Sequence, residues 1–412
     1  MNDNIKIVKG GITVPKGFKS TGGAVGIKKV KKDMALISSD ISCICAGAFT
    51  TNVVKATSVL RNIEIVKNKK NNINGIVVNS GNANACTGDA GIFANEQMAE
   101  EFAKLLDVQK DTVLTASTGV IGVVLPVDTI KNGINKLYSS MDYSLESGSM
   151  AAESILTTDT YSKEFAVEFD IDGKVVKIGG MAKGSGMIEP NMATMLAFIT
   201  TDINITQNLL DKALMSVVPN TYNMVSVDGD TSTNDTVLIL ANGLASNILI
   251  ENENDINYKK FVDALYFLNE KLAKELVRDG EGATKFIEIN VLGAKTQQNA
   301  KDIAKSVIKS NLVKTAFFGA DANWGRILCA MGYSGVVFDT SNIDIVFKSD
   351  KGEIELMKKG SPIIFDEFKA KEILLERDIY VYIYINEGNE NAKAWGCDLS
   401  YDYVKINGDY RT

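Results

Sequence analysis

The 412-residue chain contains no histidine. That absence removes Ser-His-Asp and Cys-His catalysis, histidine general bases and nearly all common zinc sites. Acid–base chemistry falls to carboxylates, lysine, tyrosine, cysteine or a freed chain terminus. A net charge of −7 and the lack of any Lys/Arg stripe exclude a nucleic-acid footprint. The short basic run Val66–Lys70 reads as a solvated face. Five cysteines, Cys43, Cys45, Cys86, Cys329 and Cys397, form no CxxC pair and leave an odd count, which points to reduced intracellular thiols. The first twenty residues hold no apolar core of a signal peptide, and no apolar run approaches membrane-spanning length. A soluble, cytoplasmic protein with neither membrane nor nucleic acid as partner is therefore expected. Both the GxxxxGK[ST] phosphate loop and the GxGxxG dinucleotide fingerprint are missing.

What remains is a folded globule: 45% hydrophobic and 23% charged residues, enough chain for about two or three domains. Strand-like and helix-like segments alternate without repeats, which reads as α+β, with a smaller α+β unit after about residue 290. "GIVVNSGNANACTGDAG" (Gly75–Gly91) is a strand entering a Gly/Asn loop, followed by a helix from about Ile92 to Leu106. "TVLTASTGVIG" (Thr112–Gly122) is a strand expected to break at Ser117-Thr118-Gly119. "EFAVEFDIDGKVVKIGGM" reads as a hairpin turning at Asp172-Gly173 in a type I′ turn. "MLAFITTD" after Thr194 is a buried strand, and Thr206 is placed as the cap of a helix through about Val217. "YNMVSVDGDTSTNDTVLILANG" reads as a second hairpin-like pair, with Asp228–Asp235 as a polar turn held by Asx-type bonds. That turn lacks the glycine and closing glutamate of an EF-hand, so no metal is assigned to it.

"MAKGSGMIEPNMATMLAFITTD" (Met181–Asp202) is the stretch that suits chemistry without histidine. A threonine released as a chain N-terminus carries its own base, the α-amine, beside its hydroxyl. With an ordinary pKa of about 7.7–8.0, roughly a tenth to a fifth of that amine is neutral at pH 7. To reach that state the Thr194 hydroxyl must attack the carbonyl of Ala193. Gly184 and Gly186 permit a tight loop, and Pro190 restricts the backbone before it.

Seven motifs in order resemble one family. They are "NSGNANACTG" (Asn79–Gly88), "STGVIG" (Ser117–Gly122), "KGSGMIEPNMATML" (Lys183–Leu196), "VDGDTSTND" (Val227–Asp235), "RDGEGATK" (Arg278–Lys285), "NWGRIL" (Asn323–Leu328) and the ending "INGDYRT". From about Gly11 to the last residue the chain resembles the ornithine acetyltransferase (glutamate N-acetyltransferase) family of arginine biosynthesis. Two positions depart from the family pattern: Thr57-Ser58 stands for a usual Ala-Pro, and Ala322 for a common proline.

The resemblance implies an αββα sandwich of the ornithine acetyltransferase and N-terminal-threonine aminopeptidase type, with smaller α+β subdomains. It implies autocatalytic cleavage between Ala193 and Thr194, Thr194 as the acetyl-accepting nucleophile, and Thr118 and Gly119 as the oxyanion hole. Substrate-binding positions would be Thr157, Lys183, Thr194, Glu281, Asn407 and Thr412. Residues 1–193 would be an α fragment, 194–290 the start of a β fragment completing the core, and 291–412 a C-terminal α+β subdomain with a substrate-contacting tail. The two fragments would associate and pair again as (αβ)2. Acetyl would pass from N2-acetylornithine to glutamate, with no metal or cofactor, and the use of acetyl-CoA as a second donor stays open. Two other readings stand beside it: an amidase or aminopeptidase of the same fold, in which water takes the acyl group, and a non-catalytic small-ligand binding protein.

Overall fold

The computed structural model describes residues 5–68, 72–189 and 195–409. Nine strands form one continuous hydrogen-bonded system that folds back on itself. The hinge is the 16-residue strand Met34–Phe49. Its first half pairs with Phe18–Gly23 on one side and Ile73–Asn82 on the other, and Ile73–Asn82 continues in parallel to Val113–Val120. Its second half pairs instead with Thr236–Ala241, from which the order runs through Leu196–Thr201, Lys174–Lys183 and Lys163–Ile171 to Lys6–Val8.

The side-chain alternation of these strands makes two faces of each layer. Ala35, Ile37, Ile76, Val78, Leu114 and Ala116 from the first layer share one core with Met181, Leu196, Phe198, Leu238 and Leu240 from the second. Their sequence neighbours Met34, Leu36, Val77 and Val113 turn outward under Met98, Phe102, Ile130 and Ile134 of two helices, Gly88–Leu106 and Val127–Tyr138. On the far side Ala197, Ile199, Val237 and Ile239 pack with Phe261, Leu265, Leu268 and Leu272 of the helix Ile256–Arg278. Helix, sheet, sheet, helix is the αββα sandwich. Complete burial of each such side chain is worth about 1.5–3 kcal/mol, so the alternation specifies the layering.

The helix Ile256–Arg278 also lies against a second, seven-stranded sheet. Its order is Ser361–Pro362, Gly352–Lys358, Asp344–Ser349, Asp378–Tyr384, Phe286–Ala294, Glu390–Cys397, Val225–Ser226. The Arg278 guanidinium grips Asp378 with two bonds of 2.6 and 2.7 Å, which fixes the helix end from which Asp279, Gly280 and Glu281 emerge.

The hairpin turning at Asp172-Gly173 is present, and both turn residues have the positive φ of a type I′ turn (51° and 80°). Three local expectations are corrected. The helix after the Gly/Asn loop starts at Gly88, four residues early, because its first turn packs on the loop itself. The strand Val113–Val120 does not break at Thr118; the irregularity sits opposite, where the register shifts at Gly81-Asn82. Val225–Ser226 and Thr236–Ala241 form no hairpin. Val225–Ser226 pairs with Trp395 and Gly396 in the second sheet while Thr236–Ala241 lies in the sandwich, so Val227–Asp235 crosses between sheets. Thr206 does occupy the cap position of its helix, but its side chain caps nothing.

Candidate active site

Where the crossing segment meets the ends of the sandwich strands, the chain encloses a cavity of about 130 Å³. Thr118, Gly119, Thr157, Lys183, Glu281 and Asn407 all line it. Six residues spread over nearly 300 positions thus meet at one point. Ala193, Thr194 and Thr412 lie outside the described residues.

Thr118 and Gly119 are placed by a polar scaffold. Gly119 has φ +133°, and a β-carbon on it would lie 2.3 Å from the carbonyl carbon of Gly81, so the paired strands approach here as only glycine allows. Ser117 donates to Asn79 at 2.7 Å, and the Asn79 amide donates to the Asn82 carbonyl at 2.8 Å. Buried Asn234 then donates to both the Ala83 and Ser117 carbonyls, at 2.6 and 2.7 Å. Asparagine amides thereby satisfy irregular backbone that a regular ladder would otherwise have to satisfy. The Gly/Asn loop, the "STG" strand and the crossing segment are three parts of one wall.

Lys183 ends its strand inside the cavity and donates to Thr157 Oγ1 at 2.8 Å. Burial lowers the affinity of its ammonium for the proton, and nearby Lys163 adds to this against the opposing charges of Asp159, Asp235 and Glu281. Beneath it lies a buried ionic core. Lys163 bonds Asp159 at 2.7 Å and Asp279 at 2.6 Å with essentially no exposed side-chain surface. Burial opposes the Asp159 charge, but Lys183, Lys163 and the Gly184 N–H together hold its carboxyl well below the usual carboxylate range. Asp279 also receives the Thr160 N–H and hydroxyl. These bonds lock the 157–160 turn to the start of the loop carrying Glu281.

The opposite wall is acidic. The Glu281 N–H donates to the Ser185 carbonyl at 2.8 Å, and Gly186 leaves room for its carboxylate, which a β-carbon there would meet at 2.4 Å. Asn407 donates to Glu281 Oε2 at 2.7 Å from the helix Tyr401–Asp409. Asp228, Asp230 and Tyr403 complete this side. Reading Asp228–Asp235 as a plain polar turn missed Asp228, Ser232, Thr233 and Asn234 as lining residues. Their density of hydrogen-bonding side chains was the available signal. One expected Asx bond is there, Asp230 N–H on Asp228 at 3.3 Å, and a serine makes the equivalent bond at Asn234 N–H on Ser232, at 3.1 Å.

The crossing segment also holds the chain on both sides of residues 190–194. Glu189 N–H donates to the Asp230 carbonyl at 2.9 Å, and Thr231 donates back to the Glu189 carbonyl at 3.0 Å. Beyond, Thr236 N–H donates to the Met195 carbonyl at 3.0 Å. Between these two anchors, Ser232, Thr233 and Asn234 face the cavity.

Residues 19–412 match the model of the ArgJ family. The chain belongs to that family. It is 52% identical, over the full length of both chains, to the arginine biosynthesis bifunctional protein ArgJ 1 of Clostridium acetobutylicum. To the ArgJ protein of Caldanaerobacter subterraneus subsp. tengcongensis it is 50% identical, covering 99% of this chain and all of that one. Among solved structures, that of the bifunctional ArgJ protein of Bacillus halodurans is similar, at 47% identity and a TM-score of 0.50. The match takes in 53% of this chain and 100% of that one. In this ArgJ chain Thr57 takes part in the Gly/Asn loop, accepting from the Asn84 amide at 2.7 Å. Among the described residues, no helix is long and apolar enough to cross a membrane.

Proposed function

We propose that the chain is a self-processing acetyltransferase that moves acetyl from N2-acetylornithine to glutamate through an ester on Thr194. The observation that carries this reading is the convergence of Thr118, Gly119, Thr157, Lys183, Glu281 and Asn407 on one cavity, flanked by the two anchors of residues 190–194. The reaction begins within the chain. Thr194 Oγ adds to the Ala193 carbonyl, the peptide nitrogen leaves as the new α-amine, and water hydrolyses the ester. The fragments would have 193 and 412 − 193 = 219 residues. The second is 53% of the chain (219/412), the share matched by the whole solved Bacillus halodurans chain.

In transfer, the free amine takes the Thr194 hydroxyl proton as oxygen adds to the acetyl carbonyl of the donor. The oxyanion develops toward Thr118 and Gly119, and each donor aimed at it contributes about 3–4 kcal/mol. The proton passes to the leaving nitrogen and ornithine departs. Glutamate then attacks the ester through the same intermediate geometry. Both amino acids carry an α-carboxylate, which suits Lys183, and a cationic amine suits the Glu281 wall. Two easy acyl exchanges replace one hard amide exchange.

Intact-mass analysis and N-terminal sequencing test the first half. The wild type gives two fragments, the second beginning Thr-Met-Leu-Ala, and Thr194→Ala stays whole. Incubation with N2-acetylornithine alone adds one acetyl group to the Thr194 fragment, and glutamate removes it as N-acetylglutamate. Release as acetate at the same rate with and without glutamate establishes an amidase instead. Substituting acetyl-CoA as donor decides whether the enzyme also makes N-acetylglutamate by that route.

A further inference from the structure

The Asp228 carboxylate hydrogen-bonds both the loop before residue 190 and the C-terminal helix. Its Oδ2 accepts the Met187 N–H at 2.6 Å and the Tyr403 hydroxyl at 3.2 Å. Its Oδ1 accepts the Ile188 N–H at 2.8 Å and the Asp230 N–H at 3.3 Å. The helix Tyr401–Asp409 has no buried residue. Its attachment combines hydrogen bonds, Asn407 on Glu281, Tyr403 on Asp228 and, just before it, Ser400 on the Gly282 carbonyl at 2.6 Å, with one edge-on ring contact of Tyr401 to Phe318. Burial raises the Tyr403 phenol above its ordinary pKa, and the Asp228 charge raises it further, so the hydroxyl stays protonated as a donor. On the other side, Met187 sits at φ +57°, unusual for a methionine. Two charge-assisted N–H bonds to one carboxylate hold it there.

We propose that Asp228 is a positioning residue that makes closure of the Tyr401–Asp409 helix and the geometry of the Met187–Ile188 loop a single event. The inference rests on the acetyltransferase reading for its substrate, ornithine, while its mechanism is a property of the fold. A bound amino acid touching Asn407 and Glu281 holds the helix in this docked position. Tyr403 then stays on the Asp228 oxygen that also holds Met187, six residues before Ala193 and the proposed scissile bond. The cavity wall at Met187 is thereby most firmly held when the cavity is covered, and water is least able to compete for the acetyl group.

Hydrogen exchange read at the Met187 and Ile188 amides tests this directly, on the cleaved wild-type protein with and without ornithine. Ornithine slows exchange in the Tyr401–Asp409 helix and also at Met187 and Ile188. In Tyr403→Phe, which keeps the ring and removes the hydroxyl, ornithine protects the helix through Asn407 but no longer protects the loop. KM for N2-acetylornithine rises about tenfold in that variant, the size of one hydrogen bond to a charged group. Asp228→Asn turns one acceptor into a donor facing Met187 N–H, so it speeds loop exchange whether or not ornithine is present. Equal ornithine protection of the loop in Tyr403→Phe and wild type overturns the coupling. The acetyltransferase reading fails separately, by the absence of an acetyl-Thr194 fragment in the wild type.

Discussion

Asn407 holds Glu281 at 2.7 Å from a helix that buries none of its residues. An exposed helix at the end of a chain normally frays, and losing part of it is normally harmless. Here its polar side chains form part of the cavity wall, so the helix is expected to matter to substrate and little to the core.

Asn407→Ala is accordingly expected to raise KM for N2-acetylornithine about tenfold with less change in kcat, and to shift Tm by no more than about 1–2 °C. Removal of Asp409–Thr412 should act in the same direction while chain cleavage proceeds. Steady-state kinetics beside a thermal melt make the distinction. A large fall in Tm with unchanged KM would reassign the helix to stability.

Thr118→Ala is expected to lower kcat by about 10²–10³ and to leave KM nearly unchanged, because the donors act on charge present only in the transition state. Chain cleavage should slow as well, since it passes through the same kind of oxyanion. Gly119→Ala is the harsher change. Its methyl group meets the Gly81 backbone at 2.3 Å, so the thermal midpoint should fall along with activity.

In the proposed mechanism the α-amine of Thr194 is the base and must be neutral to accept a proton. Activity, measured as kcat/KM, should therefore rise with pH through an apparent pKa of about 7–8 and then level. A bell centred in the acid range would transfer the base role to a carboxylate.

Lys28 supplies a second pH signature, one of stability. Burial lowers its pKa to about 8, with Lys183 and Lys31 adding to the effect and Asp33 and Asp159 opposing it. Its ammonium donates to the Lys32 carbonyl at 3.0 Å and to the Leu156 carbonyl, and its stem packs beneath Gly81. Between about pH 8 and 10.4 the unfolded chain keeps this proton while the folded one has lost it. Stability from this group consequently rises with pH across that window. Lys28→Met should abolish that part of the rise; thermal melts from pH 7 to 10.5 on both proteins give the difference curve.

Much of the fold was legible because burial writes itself into alternation. Leu196–Ile199 is an unbroken apolar run within a strand that lies buried throughout, and the Asp172-Gly173 turn announces its hairpin by needing positive φ twice. Partner choice was not legible. "VSV" and "TVLILA" carry the same β pattern whether they pair with each other or enter different sheets, and only the packing of Trp395 and the long helix separates them. The site shows the same division. Thr118, Lys183 and Glu281 came from the family resemblance, and the cavity unites them. Asp228 and Asn234 escaped because their work is to hold backbone, for which a polar loop offers no spacing signature.

The strands on the two sides of residue 193 are interleaved. Leu196–Thr201 and Thr236–Ala241 lie side by side, flanked by Lys174–Lys183 on one edge and by Met34–Phe49 on the other. Before cleavage, that arrangement folds as one chain, at a rate independent of concentration. After cleavage, the same native state would consist of two polypeptides, neither able to complete its sheet alone. Unfolding then releases two partners whose reunion depends on their concentration, against whatever aggregation the bare strand edges invite. The mature protein would thus be stable without being easily refoldable: its persistence is set by how slowly it opens, and its structure is inherited from a precursor that no longer exists.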